Sequence, residues 1–388
     1  MSIGWGTSSV RVYAAEAWVS LAPRFAAEHA TIVDNIDAIL NDPVPAVRLQ
    51  AARNLQVISV AGREKMWSMG ERIAETETSD GVLTSYLNHS LLRFSHAEPE
   101  RCEAILAMVR RRLAEFASSG GAQNRIQESL GNWVAQLFAG QGRPLLGDWL
   151  REWAADPEEN GDVLNSYCSS LRSAFFGRYA PDAETGDRDM CDRAQSGMET
   201  ILAPAIRLSS GAQWVFRSDA TEDEKEAAGR AYKAAERVIH HAMNQLYFGS
   251  GAHADDRDGG LSLADDDAKG RFLTDYAEIL ALLRQSHEPA TLHHLIELYE
   301  FLIPGDPVAV FIAIHSVLLG RGAEEGYQFE SLGTTAVVKV VKRYIADHRD
   351  VFEDPRHREM LVEILQLFAE VGWTDALKLL YDLPDLLR

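Results

Sequence analysis

The chain has 388 residues, of which 46% are hydrophobic and 25% charged, proportions that allow a large buried core or more than one domain. Its 38 basic and 58 acidic side chains leave a formal charge of -20, a field that repels phosphate backbones and disfavours nucleic acid as a partner. Three scattered cysteines, Cys102, Cys168 and Cys191, exclude a disulfide framework or zinc knuckle and fit a reducing cytoplasmic setting, and no run approaches ~18 apolar residues, so no membrane partner is expected.

The opening residues, Met1 to Gly6, hold neither a basic n-region nor an apolar h-region. Period 3.6 then dominates the chain. Val10-Arg11-Val12-Tyr13-Ala14-Ala15 begins one helix, and the pattern returns at Val47-Arg48-Leu49-Gln50-Ala51-Ala52, with Trp18 answered by Leu55 and Leu21 by Ile58. Between the copies, Ile32, Ile36, Ile39 and Leu40 form a helical stripe that stops at Asn41-Asp42-Pro43. Asp42 is placed to cap the following helix, and Pro43 falls where a missing N–H costs nothing. Ala51 and Ala52 keep that helix slim, so neighbouring units can approach closely.

A helix pair recurring at a period near 40 residues points to stacked units. The stretch from Ile32 to Ile58 resembles a HEAT repeat, and the fold class expected is all-α: an α-solenoid of antiparallel helix pairs. The resemblance implies a ladder of Asp42 and Arg48 types between successive repeats, with Arg11 and Arg48 on one edge of the stack near Asp42. Val10 and Arg11 match the second helix of a unit whose first helix has no room upstream. An array beginning in mid-unit reads as a piece of a larger protein.

Further along, Ile105, Leu106, Val109 and Leu113 make another stripe. Two polar stretches, Pro181 to Asp192 and the aspartate-rich Gly249 to Asp267, read as loops. The longest helix expected spans about Thr221 to Phe248, with Glu222, Asp223 and Glu224 suiting the dipole at its start. A second copy of the helix-pair device follows: Ala290 to Leu302, then Pro304-Gly305-Asp306-Pro307, then Val308 to Leu319, with Asp306-Pro307 repeating the cap and proline. There Ile312 stands in the place of Arg48, and His315-Ser316 replace the alanine pair. Arg356 to Val371 and Thr374 to Leu387 read as a closing pair. Altogether roughly sixteen to eighteen helices are expected, in three segments: HEAT-like 1–118, an irregular middle 119–268, and HEAT-like 269–388.

No catalytic constellation stands out, and no cofactor or metal is expected. Asp256, Asp258, Gly259 and Asp265 fall at calcium-loop positions 3, 5, 6 and 12, but Ala254 at position 1 has no side-chain ligand. His240-His241 and His293-His294 are adjacent pairs, whose side chains diverge on a helix; a site assembled across helices from His253, His287 or His294 is the remaining metal option. Cys168 lies on a helix without a nucleophile elbow. Among eight tryptophans, Trp149 and Trp153 share a helix face at i, i+4. Core packing is the bland reading, and exposure would make them a partner-contacting patch. The basic runs Arg110-Arg111-Arg112 and Lys339 with Lys342-Arg343 read first as solvated faces. Arg110, Arg111, Lys339 and Lys342 nevertheless join the two tryptophans as candidate partner-binding residues.

The function expected is a non-catalytic scaffold or recognition module holding a protein partner along a concave face lined by the helices near 44–59 and 307–319. Its alanine- and arginine-rich composition has a bacterial look. Large bacterial proteins with a helical-repeat arm, antiviral defence proteins included, would accommodate such a chain by fold analogy. A HEAT-like nucleic-acid binder and an enzyme with a cryptic metal-dependent or hydrolytic site are the alternatives.

Overall fold

A computed structural model describes residues 9–116, 124–254 and 263–386. Among the described residues there are eighteen α-helices and no strand, so the chain is all-α. Two compact units divide it, Met1–Leu137 and Phe138–Arg388; the segment expected as an irregular middle contributes to both.

The first unit holds α1 (Val10–Phe25), α2 (Ala30–Leu40), α3 (Pro45–Arg53), α4 (Arg63–Thr76), α5 (Asp80–Ser85), α6 (Pro99–Arg111) and α7 (Arg125–Val134). Helices α1, α2 and α3 pack mutually, α3 continues onto α5, α4 onto α6, and α5 onto α7. The stripe of α2 buries Ile32, Val33, Ile36 and Leu40. Ala51 and Ala52 are fully buried, which is how α3 fits between α1 and α5.

The start of α3 corrects one expectation. Val44 is its N-cap and Pro45, not Pro43, takes the first turn. The Asp42 carboxylate instead turns onto the backbone N–H of Val44 at 2.8 Å and pairs with Arg11. The cap position lies two residues beyond Asp42, whose reach therefore ends before the free amides of α3. The expected neighbourhood of Arg11, Arg48 and Asp42 does form, since Arg48 donates to the Asp42 carbonyl at 2.8 Å.

The second unit holds α8 (Pro144–Ala154), α9 (Pro157–Ser170), α10 (Thr185–Phe216), α11 (Glu222–Ser250), α12 (Asp266–Asp275), α13 (Ala277–Leu283), α14 (Pro289–Leu302), α15 (Pro307–Val317), α16 (Ser331–Asp347), α17 (Pro355–Glu370) and α18 (Thr374–Leu386). Its spine is the α10–α11 hairpin, with α11 also packed on α9 and α14. The polar stretch expected as a loop to Asp192 becomes helix from Thr185 onward. Glu184 and Asp187 form a reciprocal capping box there, and carboxylates beside a helix start favour helix rather than loop. At 32 residues α10 exceeds the 29 of α11, which the sequence had favoured as the longest.

Asp306 caps α15 through the N–H of Ala309 at 2.9 Å, as its sequence context predicts. At the turn before it, Gly305 meets Gly270 of α12. A Cβ on Gly305 would lie 2.5 Å from the Gly270 nitrogen, so only two bare backbones fit at this crossing. The closing pair α17 and α18 pack together around Gly372, whose φ of +92° reverses the chain.

Candidate functional site

The residues singled out in the sequence are divided between the two units. Trp149 and Trp153 lie on α8 with relative exposures of 4% and 5%, their rings edge-on at 6.0 Å. Burial removes them as a partner-contacting patch, on a helix that packs against α9 and α10. Lys339 pairs with the buried carboxylate of Glu300 at 3.2 Å, which Arg343 also grips at 2.5 Å. Lys342, one turn away, is exposed. Arg110 and Arg111 end α6 in the other unit, and their neighbour Arg112 turns back to the carbonyls of Ala74 and Glu77 at 2.7 and 2.8 Å.

Each candidate for chemistry has its own structural partners. Asp265, at the last calcium-loop position, caps α12 through the N–H of Ala268 at 2.7 Å; Asp256, Asp258 and Gly259 lie outside the described residues. His294 bonds Asn244 at 2.9 Å and stacks on Tyr247 at 4.5 Å, while His240 bonds Thr291 at 3.2 Å. Burial lowers the pKa of both imidazoles, as it does that of His241. His253 lies against Phe248, with ring centroids 5.3 Å apart. Among the described residues no three His, Cys, Asp or Glu side chains converge as a metal cluster. Burial pushes the Cys168 thiol up to about 12, which disfavours a nucleophilic thiolate.

A buried polar network is the first feature that the sequence did not reveal. The Glu236 carboxylate, in the middle of α11, accepts from Ser209 at 2.5 Å, Ser286 at 2.7 Å and the His287 amide at 3.0 Å. His287 then bonds Glu325 through Nδ1 at 2.7 Å and Ser210 through Nε2 at 3.4 Å. Serine, histidine and carboxylate in that order outline a proton relay. Acyl transfer also needs donors aimed at a developing oxyanion and an approach for substrate. Ser210 sits within α10, where backbone amides serve the helix, and the His287 side chain is 2% exposed. The network joins α10, α11 and the segment entering α14, and its hydrogen bonds satisfy a buried charge.

The second missed feature is a cleft of about 760 Å³ at the turn end of the α10–α11 hairpin. Gly211, Ala212, Ala227, Ala228 and Ala231 leave the space, with Leu208, Trp214 and Val215 as walls. Glu158, Arg207 and Glu224 stand at its edge. Trp214 is 72% exposed, the largest apolar side chain left in solvent among the described residues. A signal for it does exist in the sequence. The buried stripe of α10 runs Met198, Ile201, Leu202, Ala205, Ile206, Ser209, Ala212, and Trp214 falls off that phase. The volume and apolar lining suit an inserted apolar group, and the local carboxylates set the sign of what can approach. Comparison with known proteins finds no matching family model, no matching curated protein and no matching solved structure.

Proposed function

We propose that this chain is a HEAT-like helical scaffold that works by holding a protein partner, with the α10–α11 cleft as its contact point. The observation that carries this reading is Trp214, 72% exposed on the wall of an apolar cleft of about 760 Å³. A large exposed aromatic beside a pocket of small side chains is the arrangement from which interface hot spots are built. The arginine-to-carboxylate links around Asp42 and Glu77 support the helical-repeat part of the reading. Val308 and Ile312, one turn apart and both exposed, place apolar surface on α15, the second helix of its pair. An arm of a larger bacterial protein, of the kind found in antiviral defence, is a setting that accommodates this role by analogy.

The reading is tested by placing a photo-crosslinking amino acid at position 214 in the native host. A discrete crosslinked polypeptide that disappears when Ala231→Trp fills the cleft is the expected result. Crosslinks indistinguishable from those of a control at exposed Leu145, in folded protein, would overturn it.

A further inference from the structure

Resting on that reading, we infer that the cleft recognises a basic amphipathic helix, with an apolar side chain seated beside Trp214 and cationic side chains facing the surrounding carboxylates. Two observations combine here. The first is the shape: a trough floored by Ala212 and Ala228, whose small side chains leave room for a knob the size of Leu or Phe. An amphipathic helix fills such a trough with its apolar face, using anchors one turn apart. The second is the charge at the border of the trough. Glu158 and Glu224 line the trough against Arg207; the exposed Glu159 follows Glu158 in α9, and the exposed Glu222, Asp223 and Glu226 share the first turns of α11 with Lys225 and Arg230.

Several of those carboxylates are held in place. Glu224 accepts from the Thr221 amide at 2.7 Å, and that hydrogen bond lowers the pKa of its carboxyl. Arg230 spans Glu158 at 3.0 Å and Glu226 at 3.3 Å, so one cation answers two anions. The excess negative charge therefore borders the apolar trough, in a chain whose formal charge is -20. An acidic peptide or a nucleic acid meets repulsion on approach, whereas a basic helix is steered in. The apolar trough then supplies the contact that charge alone cannot.

The experiment uses the full chain and two fluorescent synthetic helices of about five turns, one Leu/Lys and one Leu/Glu, with identical leucine positions. The Leu/Lys helix is expected to bind at least about tenfold more tightly than its acidic counterpart. Its affinity should fall as salt rises from about 0.05 to 0.5 M. Trp214→Ala and Ala231→Trp keep the charge unchanged, and each should weaken binding by about tenfold or more. Equal binding of the two helices would leave apolar contact alone as the explanation, and indifference to both substitutions would leave nonspecific attraction to an acidic protein; either result overturns the inference. A fluorescent fatty acid that occupies the cleft while neither peptide does overturns it too. Crosslinks from position 214 that map to an acidic or neutral partner segment would sink this inference and leave the scaffold reading standing. Cleft-dependent Leu/Lys binding with no host protein crosslinked would do the reverse.

Discussion

Arg48 grips Glu77 with two edges of its guanidinium, Nε to one carboxylate oxygen at 2.8 Å and Nη2 to the other at 2.6 Å. The same side chain donates from Nη1 to the Asp42 carbonyl, and Arg112 donates to the Glu77 carbonyl. Arg11 completes the series at the Asp42 carboxylate. Asp42 and Glu77 thus each stand between two arginines, one bound at the carboxylate and one at the backbone. The series ties α1, α3 and the ends of α4 and α6 together. Glu77 is buried, so truncating Arg48 strands a carboxylate away from water. Arg48→Ala is expected to cost about 2–4 kcal/mol in urea denaturation. Arg48→Ala with Glu77→Ala should cost less than the sum of the two single changes, and strict additivity would show the pair to be uncoupled.

Two tryptophans separate packing from recognition. Trp149→Ala opens a core cavity and is expected to lose about 3–5 kcal/mol. Trp214→Ala removes an exposed ring and should shift stability by no more than about 0.5 kcal/mol. Thermal melts of both variants provide the measurement, and a large loss in Trp214→Ala would mean that its ring packs where the geometry leaves it open.

The backbone crossing of Gly270 and Gly305 predicts sensitivity to a single methyl. In Gly305→Ala the Cβ would meet the Gly270 nitrogen at 2.5 Å and the Lys269 carbonyl carbon at 2.7 Å, atoms that move only with the main chain. A loss of about 1–3 kcal/mol is expected. Gly161→Ala, with nothing within 4 Å of its Cβ, serves as the tolerated control.

Acid should loosen the contact between α11 and α14. Burial lowers the pKa of His240 and His294 below the ordinary 6.5, so their neutral forms are favoured in the folded state. The unfolded chain binds those protons first as pH falls. Their contribution is therefore fully present above about pH 6.5 and declines below it. Urea midpoints at pH 7.5 and 5.5 should differ, and His294→Gln should reduce the difference. An unchanged difference would assign the pH response to other groups.

All three cysteines are buried and free, and burial pushes Cys102, like Cys168, up to about 12. A thiol-reactive dye should therefore label the native chain slowly and the urea-unfolded chain at once. Rapid labelling of native protein would reveal local opening around α6, α9 or α10.

Helices, caps and the neighbourhood of Arg11, Asp42 and Arg48 were legible because each rests on local spacing: a 3.6 period, a proline at a helix start, an acid near a turn. Asp306 acts where its neighbours in the chain predict. Asp42 missed its expected role by two residues, since a cap depends on which residue leaves helical geometry, and composition does not determine that. Thr185 to Asp192 read as loop because acidic residues look alike in a loop and in a first helical turn. The Glu236 network includes a hydrogen bond between residues 77 positions apart, and the cleft is lined by alanines drawn from two helices. Neither relation lies along the chain. Trp149 and Trp153 attracted attention through their pairing, whereas Trp214 was marked only by its phase against the buried stripe.

Helix α11 carries the cleft at its first turns, Glu236 at its middle and the His240–His294 stack farther on. At about 1.5 Å per residue it runs roughly 43 Å, without an internal proline. Such a rod bends little between neighbours that clamp it along its length. A tilt imposed at the hairpin end would therefore be felt at the histidine end, where the His240 and His294 rings face each other at 5.7 Å. In mechanical terms the helix is a lever, with its fulcrum at the buried Glu236 carboxylate that three hydrogen bonds hold.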